Sequence, residues 1–178
     1  MTGEEKKENN LIVFLLESEK HPKPVIDMIS KESGNGNTLC YVCLTRTHED
    51  VSADLAKRGI SQEKIVFLDS ISTECRIDKT GKCINEACMN DLSRMRTKLR
   101  EIFDSHNCTA VLFDSISSLL VYQTKHDIIK FTHELVSDES NRDIGKIFLV
   151  LKESGMYGQD INRLIDDMIF FADKTVKA

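Results

Sequence analysis

The chain is short of several residue types. Proline occurs twice, tryptophan not at all, and aromatic residues make up 6% of 178. Both prolines, Pro22 and Pro24, fall in one turn, so long stretches on either side are free to form regular structure. No apolar run approaches the roughly 18 to 20 residues of a membrane span, and no membrane attachment is expected. Positive charge is also in deficit. Lysine and arginine number 24 against 29 acids, a net charge of −5, which disfavours broad binding to nucleic acid. Residues 1–10 are polar and charged. They lack the apolar stretch of a signal peptide and read as a disordered tail before one domain at 11–178. A cytoplasmic location follows, and with it six cysteines that are mostly reduced.

Apolar residues are 40% and charged residues 30%, the balance of a globular domain with a sizeable core. Ala110 to Phe113 is an unbroken apolar run that stops at Asp114-Ser115. Such a run reads as a strand buried on both faces, as in the centre of a parallel sheet. Further strands are expected over 11–16, 38–44, 64–68, 146–151 and 168–171. Helices are expected over 25–31, from Thr47 to Gly59, over 85–105, from Thr124 onward, and briefly over 161–165. Thr47 with Asp50, and Thr124 with Asp127, have the spacing of N-terminal capping pairs. In the long helix, Cys88, Leu92, Met95, Leu99, Ile102 and Phe103 share one face. Arg94, Arg96, Lys98 and Arg100 cover the other, as a solvated face. Strands alternating with helices imply βαβ units and a largely parallel sheet in a three-layer α/β/α arrangement.

Working groups in such sheets gather at the carboxyl ends of the strands, and Asp114 stands at such an end. The piece Val66-Phe-Leu-Asp-Ser-Ile-Ser72 nearly repeats Val111-Leu-Phe-Asp-Ser-Ile-Ser117. Nothing around the two matches, so they read as two strand ends in one sheet. Cys40 and Cys43 lie in one strand on opposite faces and read as core cysteines rather than a redox pair. Cys75, Cys83 and Cys88 are spaced poorly for zinc. A disulfide between Cys75 and Cys83 is the other reading there. No metal site is expected, and no Ser-His-Asp arrangement is legible.

Thr109-Ala-Val-Leu-Phe-Asp-Ser-Ile-Ser-Ser-Leu resembles the Walker B strand of the RecA/KaiC-type P-loop ATPases. Residues 38–59 are similar to that family's second strand and helix. Leu164-Ile-Asp-Asp-Met-Ile-Phe-Phe resembles its late segment, in which an aspartate precedes an apolar strand. The resemblance implies a RecA-like P-loop NTPase fold, with a nucleotide between subunits and magnesium held near Asp114. The phosphate loop, however, needs glycines and a GxxxxGK[ST] pattern. In that slot the chain reads Leu16-Glu-Ser-Glu-Lys-His-Pro-Lys-Pro-Val25, with no glycine. The positions of the family's catalytic glutamates hold Thr45 and Arg46, and neither is a general base near neutral pH. The resemblance therefore implies a degenerate, non-catalytic member that uses no cofactor and acts through protein contacts. Its partner would be an active relative or another copy of itself. Short single-domain members of this kind are associated with archaeal genomes. Two alternatives stand beside this. One is an ATP- or ADP-binding module without efficient hydrolysis, using Asp114, Ser115, Lys20 and Lys23. The other is an unrelated enzyme in the strand-end cleft. A buried Asp114 requires a neutralising partner, and Arg46 and Lys152 are the candidates.

Overall fold

A computed structural model describes residues 10–72, 82–152 and 157–178. Seven strands form one sheet: β1 (Leu11–Leu16), β2 (Leu39–Cys43), β3 (Ile65–Asp69), β4 (Cys83–Asn85), β5 (Ala110–Asp114), β6 (Gly145–Leu151) and β7 (Lys174–Lys177). Their spatial order is β4-β3-β2-β5-β6-β1-β7, and every pairing is parallel. The helices are α1 (Lys23–Glu32), α2 (His48–Lys57), α3 (Leu92–His106), α4 (Lys125–Ser137) and α5 (Gly158–Phe171).

Two cores result, one on each face of the sheet. Val25 and Ile29 of α1 and Val51 and Leu55 of α2 cover Phe14, Tyr41, Phe67 and Leu112 on one face. On the other, α3, α4 and α5 pack Leu99, Phe131 and Leu164 against Val13, Val42, Phe113 and Phe148. Successive strand residues point to opposite faces, so β1, β2, β5 and β6 supply both cores and are buried almost throughout. This is why their sequences read as unbroken apolar runs. Cys40 joins one core and Cys43 the other, as the strand period predicts.

Both capping pairs form. Thr47 accepts from the Asp50 amide and Thr124 from the Asp127 amide. Thr124 also donates to Asp127 Oδ2 at 2.5 Å. Thr124→Ala is expected to cost about 1 kcal/mol, readable as a lower urea midpoint with an unchanged slope. Gly59, just past α2, takes φ 73°, which a side chain would strain.

Three expectations are corrected. The expected helix over 85–105 begins at Leu92, because Asp91 caps it by accepting the Arg94 amide. Cys88 is buried in the same core but precedes the helix. Ahead of it, Cys83–Asn85 forms the edge strand β4 beside β3, a strand too short to leave a sequence pattern. The expected strand over 168–171 is the end of α5. Ile161, Leu164, Ile165 and Met168 are all buried at helical spacing, and that period governs the apolar Met-Ile-Phe-Phe run. The final strand is Lys174–Lys177, at the sheet edge beside β1, where lysines suit an exposed edge.

Candidate functional site at the strand ends

The register places Cys43 of β2 beside Asp114 of β5. Tyr41, two residues earlier, therefore lies on the same face of the sheet as Asp114. Its ring runs under the α1–α2 layer and its hydroxyl donates to Asp114 Oδ2. The turn between β1 and α1 brings His21 to the same oxygen, with Nε2 3.0 Å from Oδ2. Nε2 donates to the carboxylate, and Arg46 Nη2 stands against the edge of the same ring, 3.4 Å from Nε2 and 3.5 Å from Nδ1. Arg46 Nη2 is itself 3.7 Å from Asp114 Oδ2. His21, Tyr41 and Asp114 are 4%, 0% and 5% exposed, so this cluster is closed to solvent.

Charges alternate outward from it. Arg46 Nη1 lies 3.6 Å from Asp54 Oδ2, and Arg58 Nε lies 3.3 Å from Asp54 Oδ1. Arg58 Nη1 closes the ring on the His21 carbonyl at 3.4 Å. Burial pushes the Asp114 carboxyl up, but the hydrogen bond and charge of His21, the Tyr41 hydroxyl and Arg46 together hold it below its ordinary range. Burial, then the Asp114 charge, pushes the Tyr41 phenol well above its usual value. Tyr41 is thus a neutral donor to an ionised partner.

The backbone is fixed as firmly. The Asp114 carbonyl accepts from the Leu44 amide at 2.9 Å and from the Thr45 hydroxyl at 3.0 Å. The Asp114–Ser115 peptide is cis. Ser115 is 4% exposed, and its hydroxyl pairs with Ser117 at 2.7 Å. Ser117 Oγ in turn accepts the Leu151 amide at 3.0 Å, which ties β6 to the turn.

Among the residues expected at this site, Asp114 and Arg46 meet, with Ser115 beside them in the turn. Lys152 pairs instead with Glu17 at 2.8 Å. Lys23 pairs with Asp27 on the exposed side of α1 at 2.6 Å, and Lys20 is exposed. His21 and Tyr41 were not read from the sequence. Tyr41 becomes visible only when β2 and β5 are known to be neighbours. His21 is one of five scattered histidines, and no spacing marks it. The twin strand end at Asp69 is different. There the carboxylate accepts the His48, Ile71 and Ser72 amides and the Ser72 hydroxyl, at 2.8–3.0 Å. Burial works against its charge, but these bonds hold its pKa down. Asp69 thus fixes the start of α2 and the turn after β3.

The groups that would hold a nucleotide phosphate and magnesium do not fit this geometry. Asp114 Oδ2 is occupied by protein donors. At the start of α1, Pro24 has no amide hydrogen, and the Val25 and Ile26 amides both bond to the Pro22 carbonyl. Neither of these two amides is left to face an anion. Among the described residues, no group of three His, Cys, Asp or Glu side chains could hold a metal ion, and no helix is long and apolar enough to cross a membrane. Cys83 and Cys88 are buried, while Cys75 lies outside the described residues, as does the tail at 1–9.

An all-parallel sheet between two helical layers, with β6 inserted between β1 and β5, defines a RecA-like α/β/α fold. The structure of a KaiC-like protein from the hyperthermophilic archaeon Pyrococcus horikoshii has the same fold. It superposes with a TM-score of 0.68 over 96% of this chain and 72% of that one, at 14% sequence identity. No protein-family model and no curated protein matches the chain.

Proposed function

We propose that this chain is a degenerate RecA-like domain that neither binds nor hydrolyses nucleotide at its strand ends and works by contact with a protein partner. The observation that carries this reading is the closed cluster around Asp114. His21 comes from the segment where the P-loop ATPases keep their phosphate loop, and here it fills the site as a side chain. Tyr41 and Arg46 complete the neutralisation of a carboxylate that would otherwise serve a cation. Thr45 and Arg46 stand at the positions of the catalytic glutamates, and neither is a general base near neutral pH. The KaiC-like neighbour makes an active relative, or a second copy of this chain, the first partner to test.

Titration with ATP and magnesium, followed residue by residue in an amide ¹H–¹⁵N spectrum, tests the reading. Amides of residues 17–21, 23 and 114–118 are expected to stay in place at millimolar nucleotide. Saturable shifts there that vanish in Asp114→Asn would overturn it in favour of a nucleotide-binding module.

A further inference from the structure

Four large apolar side chains stand in solvent among the described residues: Val121 and Tyr122 beyond β5, and Ile169 and Phe170 at the end of α5. A single surface hydrophobe is ordinary, but the last two are neighbours, with Phe170 89% and Ile169 40% exposed. The helix end is held in this orientation from within. Met168 is fully buried, and the Phe171 ring meets His133 edge-on at 6.2 Å between centroids. Phe170 is therefore a fixed aromatic knob.

A hole lies at the same end of the sheet, on its other face. Ala110 and Gly145 pair directly across β5 and β6 at the amino ends of the strands. Two such small residues leave the sheet bare there, and a cavity of about 350 Å³ remains beside the end of α1. Ile12, Met28 and Ile147 are its larger apolar lining. A cavity of about 150 Å³ already holds a benzene ring, so this one has room for Phe170. Charges ring its mouth. Lys31 is 70% exposed, whereas its neighbour Glu32 is 18% exposed, and Asp173 accepts the Leu11 amide at 2.8 Å. Lys174 is exposed beside them. The outward charge at the mouth is thus chiefly lysine. The knob is flanked one turn earlier by the exposed Asp166 and Asp167, and the last turn of α5 holds no basic residue.

Knob and hole belong to one patch. Phe170 precedes Asp173 of the cavity lining by three residues, no more than about 11 Å along the chain. A patch that carries both is self-complementary, the condition for a two-fold interface. From this we infer that the chain pairs with a second copy of itself by reciprocal insertion of Phe170 into the cavity beside α1. Asp166 and Asp167 are then set against Lys31 and Lys174 at the mouth that receives the ring. One aromatic anchor in a small interface makes a weak, reversible dimer. The inference specifies the second-copy form of the protein contact proposed above and rests on that reading. Its surface is at the opposite end of the strands from Asp114, so it is separate from an interface built around a nucleotide.

The test is sedimentation equilibrium of the whole chain without nucleotide. A dimer with a dissociation constant below about 1 mM is expected. Phe170→Ser removes the knob and has little internal packing to lose. Gly145→Leu fills the hole, and a Cβ at that position meets Ala110 Cβ at 3.7 Å, an ordinary contact, so the fold should be kept. Each substitution should weaken the dimer at least tenfold. In a mixture of methyl-labelled and unlabelled chains, intermolecular NOEs should join the Phe170 ring to the Met28 and Ile147 methyls. If Gly145→Leu fails to fold, Phe170→Ser and the NOEs decide. A monomer at about 1 mM, a dimer indifferent to Phe170→Ser, or NOEs that place the ring elsewhere would overturn the proposal. Those results would leave an active relative as the partner. Saturable nucleotide shifts around Asp114 would instead overturn the parent reading and leave this dimer to be judged on its own.

Discussion

His21→Ala is expected to destabilise the fold by roughly 2–4 kcal/mol, as removal of one partner from a buried charge does. The lower part of that range applies if Tyr41 and Arg46 re-centre on Asp114. The loss should depend on the charge at residue 114. In the Asp114→Asn background, removal of His21 leaves a neutral amide rather than an unpaired carboxylate. The two substitutions should therefore be non-additive by about 1–3 kcal/mol in urea unfolding. The pH dependence has a fixed sign. The folded-state pKa of Asp114 is lowered relative to an unfolded value of about 3.9. Its contribution is complete above that unfolded value and is lost as pH falls through the folded one. The stability gap between wild type and His21→Ala should therefore narrow on acidification below about pH 4. A gap that stayed constant with pH would mean that His21 acts by packing alone.

The second large effect is expected at Phe113. Its ring is fully buried, with edge-on contacts to Phe131 of α4 at 6.0 Å and Phe148 of β6 at 5.4 Å between centroids. It joins the central strand, its neighbour and a covering helix in one aromatic cluster. Phe113→Ala should cost about 3–5 kcal/mol, the transfer loss plus the cavity left behind. Phe113→Leu, closer in volume, should cost about 1–2 kcal/mol, including the lost edge-to-face contacts. Equilibrium unfolding of both variants checks this. An alanine variant that lost less than about 1.5 kcal/mol would show that the core closes over the gap, contrary to close packing.

Phe113 and Asp114 illustrate what the sequence could and could not reveal. The run from Ala110 to Asp114 announced a central strand and a strand-end acid, and the alternation of elements announced the layered parallel fold. Local capping chemistry at Thr47 and Thr124 was equally legible, because it is written within four residues. The partners of Asp114 were not, because they depend on strand order. Arg46 could be named from its place just after β2, whereas Tyr41 becomes a partner only through the β2–β5 register. His21 lies 93 residues away in the chain. The late segment was misread for a different reason. Met168 to Phe171 is apolar enough for a strand, but the buried spacing from Ile161 to Met168 already carried the helical period. The near-identical strand ends at Asp69 and Asp114 show the same limit. Asp69 is satisfied by donors within three residues and by the amide of His48, Asp114 by side chains from β2 and from two distant turns.

The central claim is that Asp114 is committed to the protein's own side chains. Carboxyl carbon resonances of ¹³C-labelled aspartate, assigned by comparison with Asp114→Asn, test it directly as a function of pH, with and without ATP and magnesium. The midpoint for Asp114 should lie below the ordinary value of about 3.9 and stay unmoved by nucleotide or metal. A midpoint at or above that value, or a resonance that shifts when magnesium and ATP are added, would contradict it.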